Sequence, residues 1–249
     1  MFFPNFGKEI VSWKMKIVIM QPYFMPYIGY FQLLHASDTF VLYDNIQYTK
    51  KGWINRNRII QNNNVITFTI PIKKDSDYLN IWDRQIADSF KREKLCNQIM
   101  NSYRKAPCFD DVYPIISELI NSNEVNLFKY ISESLIAICK YLNLNSSKIK
   151  VSSEINIDHS LKSEEKVLAI CNSLSATEYI NPIGGIDLYS KERFALNNID
   201  LKFLKTSVMP YDQFDNDFYP NLSIVDIMMF NPKEKIQEIL NEYELLWIS

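Results

Sequence analysis

Histidine and cysteine are scarce in this chain. There are two histidines, His35 and His159, and four cysteines, Cys96, Cys108, Cys139 and Cys171, spread over 249 residues. No CxxC occurs and no cysteine has a histidine near it in sequence, which argues against a structural zinc site and against a thiol nucleophile. Scattered thiols of this kind suit a cytoplasmic, reduced chain without disulfides. No apolar run approaches the roughly 18 residues of a membrane span, and the first fourteen residues lack the apolar stretch of a signal peptide. The formal net charge of −2 lacks the basic excess of a general nucleic-acid binder. There is no internal repeat and no low-complexity linker.

What is present is an apolar content of 47%, enough for a proper core, and one segment dense in polar and aromatic groups. Ile17-Val18-Ile19-Met20 reads as a buried strand ending at Gln21-Pro22. Pro26 and Gly29 follow, then a helix over 27–37 and a second strand over 39–43, the length of a βαβ unit. After that strand come Asp44, Asn45, Gln47, Tyr48, Lys50, Lys51, Trp53, Asn55, Arg56, Asn57 and Arg58. Polar groups crowded behind strand ends are the usual place for a ligand in an open α/β sheet.

Further along, residues 65–72 alternate as a strand, with Pro71 suiting an edge. Helices are expected over 90–103, 109–121 and 127–142, the last with Leu127, Ile131, Leu135, Ile138 and Leu142 on one face. Strands at 148–152, 177–181 and 201–204 alternate with helices at 163–174 and 190–197, and two helices at 223–229 and 232–240 close the chain. Residues 1–14 read as an extension, 15–89 with 148–249 as an α/β nucleotide-type domain, and 90–147 as an inserted or appended helical subdomain. The fold class is therefore α/β, with a Rossmann-like, mostly parallel sheet. A helical elaboration on the same core is the alternative.

Several segments could carry chemistry. In 21–30 the prolines fix φ, Gly29 permits close approach, and the following helix start can meet an anion; the plain alternative is a stiff βα turn. In 44–58, Lys50, Lys51, Arg56 and Arg58 suit a phosphate, Trp53 and Tyr48 a flat ring, and Gln47 and Asn55 a hydroxyl-rich ligand. Asp44 could serve as a base. The alternative is a solvated loop. Gly184-Gly185, within 181–189, can present backbone to a ligand or make a tight turn. The segment 209–223, with Tyr211, could complete a pocket or serve packing alone. No metal is implied, although Asp44 with Asp38 or Asp226 could meet Mg²⁺.

The succession MQPYFMPYIGYFQLL, FVLYDNIQYTKKGWINRNRI, YRKAP, NPIGGIDLY, YDQF and FYPNLSIVDIMMFN resembles the WbqC-like protein family over nearly all of 15–231. The resemblance implies a place among bacterial surface-polysaccharide and amino-sugar pathways. A looser layout is similar to pantothenate synthetases and nucleotidylyltransferases. There Tyr27-Ile28-Gly29-Tyr30 takes the place of an ATP-binding HxGH motif, with tyrosine for both histidines, and Gln47 falls where that group has a substrate-binding glutamine.

Together these give two expectations. One is an enzyme passing an acyl or aminoacyl group, from a thioester or with ATP, to the amine of a nucleotide-linked amino sugar. Asp44 would be its base, Gln21, Tyr23 and Tyr30 would hold the donor, and Asn55 and Trp53 the sugar. The other is a module that binds the nucleotide-sugar or glycan without turnover.

Overall fold

The computed structural model describes residues 14–207, 210–214 and 217–247. Residues 1–13 of the expected extension, and Met209 at the head of the fourth candidate segment, lie outside them.

In chain order the elements are β1 (Lys16–Met20), α1 (Ile28–Ala36), β2 (Thr39–Leu42), β3 (Arg56–Gln61), β4 (Asn64–Thr69), α2 (Arg92–Tyr103), α3 (Phe109–Ile120), α4 (Leu127–Tyr141), β5 (Ile149–Val151), α5 (Ser163–Ser173), β6 (Glu178–Pro182), α6 (Lys191–Leu196), β7 (Asp200–Thr206), α7 (Ile224–Phe230), α8 (Lys233–Ile239) and β8 (Tyr243–Leu246). Six strands form one sheet in the order β5-β2-β1-β6-β7-β8. All pairs are parallel except β7 with β8. The sheet is thus mostly parallel and Rossmann-like. The chain moves outward from β1 to β2 and β5, then returns to the other side of β1 for β6 and β7. That reversal opens a crevice at the carboxyl ends of β1 and β6.

Alternation along the strands divides the apolar residues between the faces. Val18, Met20, Phe40 and Leu42 belong to one core, Ile17, Ile19 and Val41 to the other. The first core also takes Phe31 and Leu34 of α1, Ile99 of α2, Val112 and Ile116 of α3, Leu135 of α4 and Met228 of α7. The second is closed by Val167 and Ile170 of α5 and Phe194 of α6. Among the described residues no helix is long and apolar enough to cross a membrane.

Two strands escape a reading by pattern. β3 falls inside the polar stretch read as loop and pairs antiparallel with β4 through Arg56↔Thr69 to Gln61↔Asn64. Its turn, Asn62-Asn63, takes φ of 49° and 60°, the two left-handed residues that a tight hairpin needs and asparagine tolerates. β8, at the sheet edge, is only partly buried and so lacks a strand's apolar signature.

Candidate functional site

The loop from β1 to α1 is pinned from three directions. Phe24 N–H donates to Ile54 O at 2.9 Å, and the buried Phe24 ring stacks on Tyr130 with centroids 5.3 Å apart. Met25, at φ 45°, turns its carbonyl toward two donors, Asn57 Nδ2 at 2.7 Å and Ser223 Oγ at 2.7 Å. Ile224 N–H donates to Pro26 O at 2.8 Å. So the loop is held by β3 and by the start of α7, and its prolines restrict it further. α1 then begins at Tyr27 with no side-chain cap and no acidic residue in its first turn. Its first turn is closed on itself and covered: Tyr30 N–H donates to Tyr27 O at 3.1 Å, and Ile28 and Gly29 are buried.

The loop and the N-cap residue Tyr27 border a cleft of about 760 Å³ at the switch point of the sheet. One wall comes from Gln21, Tyr23, Pro26 and Tyr27 after β1, with Tyr43 and Ile46 after β2. The facing wall is 181–185 with Leu188 and Tyr189, where 183–188 forms a 3-10 turn, together with Leu204, Lys205 and Thr206 of β7. Trp53, Asn57 and Arg58 of the hairpin region and Asn221 complete it. A second, more open concavity of about 520 Å³ lies on residues 90–97 at the start of α2, with lysine, arginine and glutamate mixed in its lining.

Chemically the cleft offers donors. Its lining includes Arg58 and Lys205 and the tyrosines 23, 27, 43 and 189, and among the described residues it holds no aspartate, glutamate, histidine or cysteine. Burial, and then the neighbouring Tyr27, push Tyr23 up to about 12. Burial also raises Tyr27, Tyr43 and Tyr189, with Tyr189 adding to the effect on Tyr43. Near neutral pH these hydroxyls keep their protons, so they donate and do not act as bases. Arg58 gives one bond, to Asn221 O at 3.2 Å, and its buried Nε has no partner in the protein. Lys205 faces Glu244 at only 3.9 Å with both side chains more than half exposed, a weak pair that leaves the ammonium accessible. Among the described residues no group of three or more His, Cys, Asp or Glu could hold a metal ion.

Of the residues expected to form a site, Gln21, Tyr23, Tyr27, Trp53, Arg58, Gly184 and Gly185 line the cleft. Gly29 stands behind it: a Cβ there would collide with the Tyr27 ring and the Thr206 hydroxyl, two groups of the lining. The others are placed elsewhere. Asp44 is fully buried, and its oxygens accept from Ser152 Oγ at 2.7 Å, Ser153 N–H at 3.0 Å and Ser153 Oγ at 2.6 Å. Tyr30 is buried and donates to Gln21 O at 3.0 Å. Tyr48 donates to Asn55 Oδ1 at 2.8 Å while Asn55 Nδ2 donates to Ile70 O at 2.7 Å, so both brace the hairpin.

Gln47 donates to Asp77 O at 2.8 Å and Lys50 pairs with the Asp77 carboxylate at 2.6 Å. Arg56 donates to the carbonyls of Gly52 and Lys51, at 2.9 and 2.6 Å. With Arg58 it packs over Trp53, each guanidinium carbon 5.3 Å from the ring centroid. The Lys51 side chain is exposed and does not line the cleft. Tyr211 donates to Asp226 Oδ2 at 2.6 Å, within a buried network that also brings Tyr103 to Asp226 Oδ1 at 2.7 Å and Gln213 to Oδ2 at 2.7 Å. Asp38 accepts from Lys16 N–H at 2.8 Å. The three aspartates considered for Mg²⁺ thus each serve a different set of protein donors.

The cleft also uses Asn57, Asn181, Tyr189 and Asn221, which lie in the candidate segments, and Tyr43, Lys205 and Thr206, which the site expectation passed over. Lys205 and Thr206 are the plainest omission. They end a parallel strand, and position at a carboxyl end was the available signal.

Comparison with other proteins agrees with this architecture's extent. A Mycobacterium tuberculosis protein described as uncharacterised, Rv1507c, is 24% identical over 216 residues, covering 86% of this chain and 92% of its own. No solved structure matches the chain. The sequence pattern of the WbqC-like protein family matches residues 21–238, which takes in the β1–α1 loop, the hairpin, both walls of the cleft and the Asp226 network; the chain belongs to that family.

Proposed function

We propose that the cleft binds a nucleotide-linked sugar, in the setting of bacterial surface-polysaccharide synthesis, and holds it by its phosphates. One observation carries this reading: a lining that, among the described residues, has two cations and four neutral tyrosines but no acidic side chain, set at the switch point of a mostly parallel sheet. Such a surface attracts a ligand rich in acceptors and repels nothing in a diphosphate. Arg58 and Lys205 are the phosphate candidates. Gln21, Asn57 and Asn181 supply amides for hydroxyl groups.

Acyl transfer to an amino sugar is the second reading, favoured by the same excess of donors. Tyr23 and Tyr27 could stabilise the oxyanion that forms when an amine attacks a thioester carbonyl. The amine must then arrive neutral, and the departing thiolate takes up its proton, because the lining holds no carboxylate or imidazole to do so. Asp44 does not fit the role of base. Its oxygens are already taken by two serines, and it lies outside the lining.

A thermal-shift panel of uridine- and thymidine-linked amino sugars, coenzyme A thioesters and ATP tests both readings. A ligand at 100 times its dissociation constant adds about 2.7 kcal/mol to stability, well within detection. Stabilisation by the nucleotide-sugar alone supports binding. Stabilisation by a thioester as well, followed by a mass change of the sugar, supports transfer. No response to any nucleotide-sugar overturns both.

A further inference from the structure

Glycine in a chain usually answers a local need, either a left-handed backbone or a close neighbour. Gly185 has such a need, because a Cβ would strike the Asn181 amide. At Gly184 a Cβ would meet nothing within 4 Å, and no described glycine has a positive φ. The fold therefore does not require glycine at 184, yet the residue lines the cleft.

Its surroundings differ from the rest of the lining. Ile183 and Leu188, on the same short turn, are 36% and 66% exposed, and Trp53 on the hairpin side is 40% exposed. Large apolar side chains left open around bare backbone suit a flat, weakly polar ring better than an array of sugar hydroxyls.

We infer that Gly184 seats the nucleobase of the ligand, the ring lying against the Ile183-Gly184 backbone beside Leu188, while Arg58 and Lys205 hold the phosphates. This rests on the nucleotide-sugar reading and deepens it. It makes Gly184 a residue that selects for the ligand's base, with no part in folding.

Calorimetric titration with UDP, dTDP, ADP and GDP, and separately with pyrophosphate, tests it on the full chain. With the tightest nucleoside diphosphate, Gly184→Leu should lower affinity about tenfold or more, while pyrophosphate binding stays within about twofold. Gly184→Ala should fall between Gly184→Leu and the parent, and both variants should keep Tm within about 2 °C of the parent. Arg58→Gln should weaken both ligand types together. Unchanged nucleotide affinity in Gly184→Leu overturns the inference, as does an equal loss for pyrophosphate. If Gly184→Leu does not fold, the same comparison is made on Gly184→Ala. A parent protein that binds pyrophosphate but no nucleoside diphosphate removes the inference and leaves the phosphate site standing. A parent that binds neither removes the functional reading with it.

Discussion

Two stretches of this chain invite a ligand in different ways. Residues 44–58 are crowded with charge and amide, yet most of that polarity is spent inside the protein. Asp44 is held by Ser152 and Ser153, Asn55 by Tyr48 and Ile70, Arg56 by the Lys51 and Gly52 carbonyls, and Lys50 by Asp77. Residues 181–185, 188–189 and 204–206 are sparse in charge by comparison, and they make one wall of the cleft. A loop that must travel far over a surface needs hydrogen bonds to hold its own backbone. Polar density in sequence therefore marks a demanding loop as readily as a binding site. Apart from Trp53, Asn57 and Arg58 of the dense stretch, and Asn221, the polar groups left over for a ligand stand at or just beyond the ends of the sheet strands.

The sharpest way to break this contrast is to truncate Asp44. If it is a brace, Asp44→Ala strands Ser153 N–H and Oγ, leaves Ser152 Oγ only Asn45 Oδ1 at 2.8 Å, and should cost about 2–3 kcal/mol of stability, read as a lower urea midpoint at unchanged m. Phosphate affinity of the folded fraction should be nearly unaltered. A variant of parental stability that has lost ligand binding would return Asp44 to the site and undo the contrast.

The next largest effect is expected at Arg58. Its Nε is buried without a protein partner while its position over Trp53 is fixed, so it is oriented but not fully used. Arg58→Gln should lower affinity for pyrophosphate by about tenfold, with a stability loss of about 1 kcal/mol from the Asn221 bond and the packing on Trp53. The matching change at Asp226 separates structure from ligand by pH. Burial raises the Asp226 carboxyl above its ordinary value, although three donors pull the other way. The folded state then holds that proton more tightly than the unfolded chain, so Asp226 contributes most below the ordinary carboxylate range and less as pH rises through its raised value. Parent and Asp226→Asn, compared by urea unfolding between pH 4 and 7, should differ in slope: the parent alone carries this decline. Parallel curves would mean that Asp226 titrates alike in both states.

Much of the architecture could be read from sequence. Lys16–Met20, Ile28–Ala36 and Thr39–Leu42 carry a continuous apolar strand, a helix after Pro26 and a second strand, and they became the centre of the sheet. β3 hid because its outward positions are Arg56 and Arg58 and its inward Asn57 is satisfied by the Met25 carbonyl, so no apolar alternation appears there. The site was legible only in part for the same physical reason. Gln21, Tyr23 and Tyr27 follow β1 directly, whereas the fate of Asp44 depends on serines 108 and 109 residues away. Whether a polar side chain is free is decided by such distant partners, and a local pattern does not contain them.

The smallest expected effects lie at Gln47 and Lys50, and they sharpen the contrast most finely. Both belong to the dense stretch and both turn toward Asp77, with Lys50 and Asp77 largely exposed to water. An exposed ion pair of this kind contributes little and weakens with salt. Lys50→Ala should thus leave the urea midpoint nearly unchanged and pyrophosphate affinity within about twofold, whereas Lys205→Ala, also at a more than half-exposed side chain, should weaken binding about fivefold at low salt. Titration of both variants at two salt concentrations decides the matter. If Lys50 proves the stronger contributor, the anion approaches over the hairpin and the boundary of the cleft must be redrawn to include it; if Lys205 does, position at a strand end outweighs crowding in sequence.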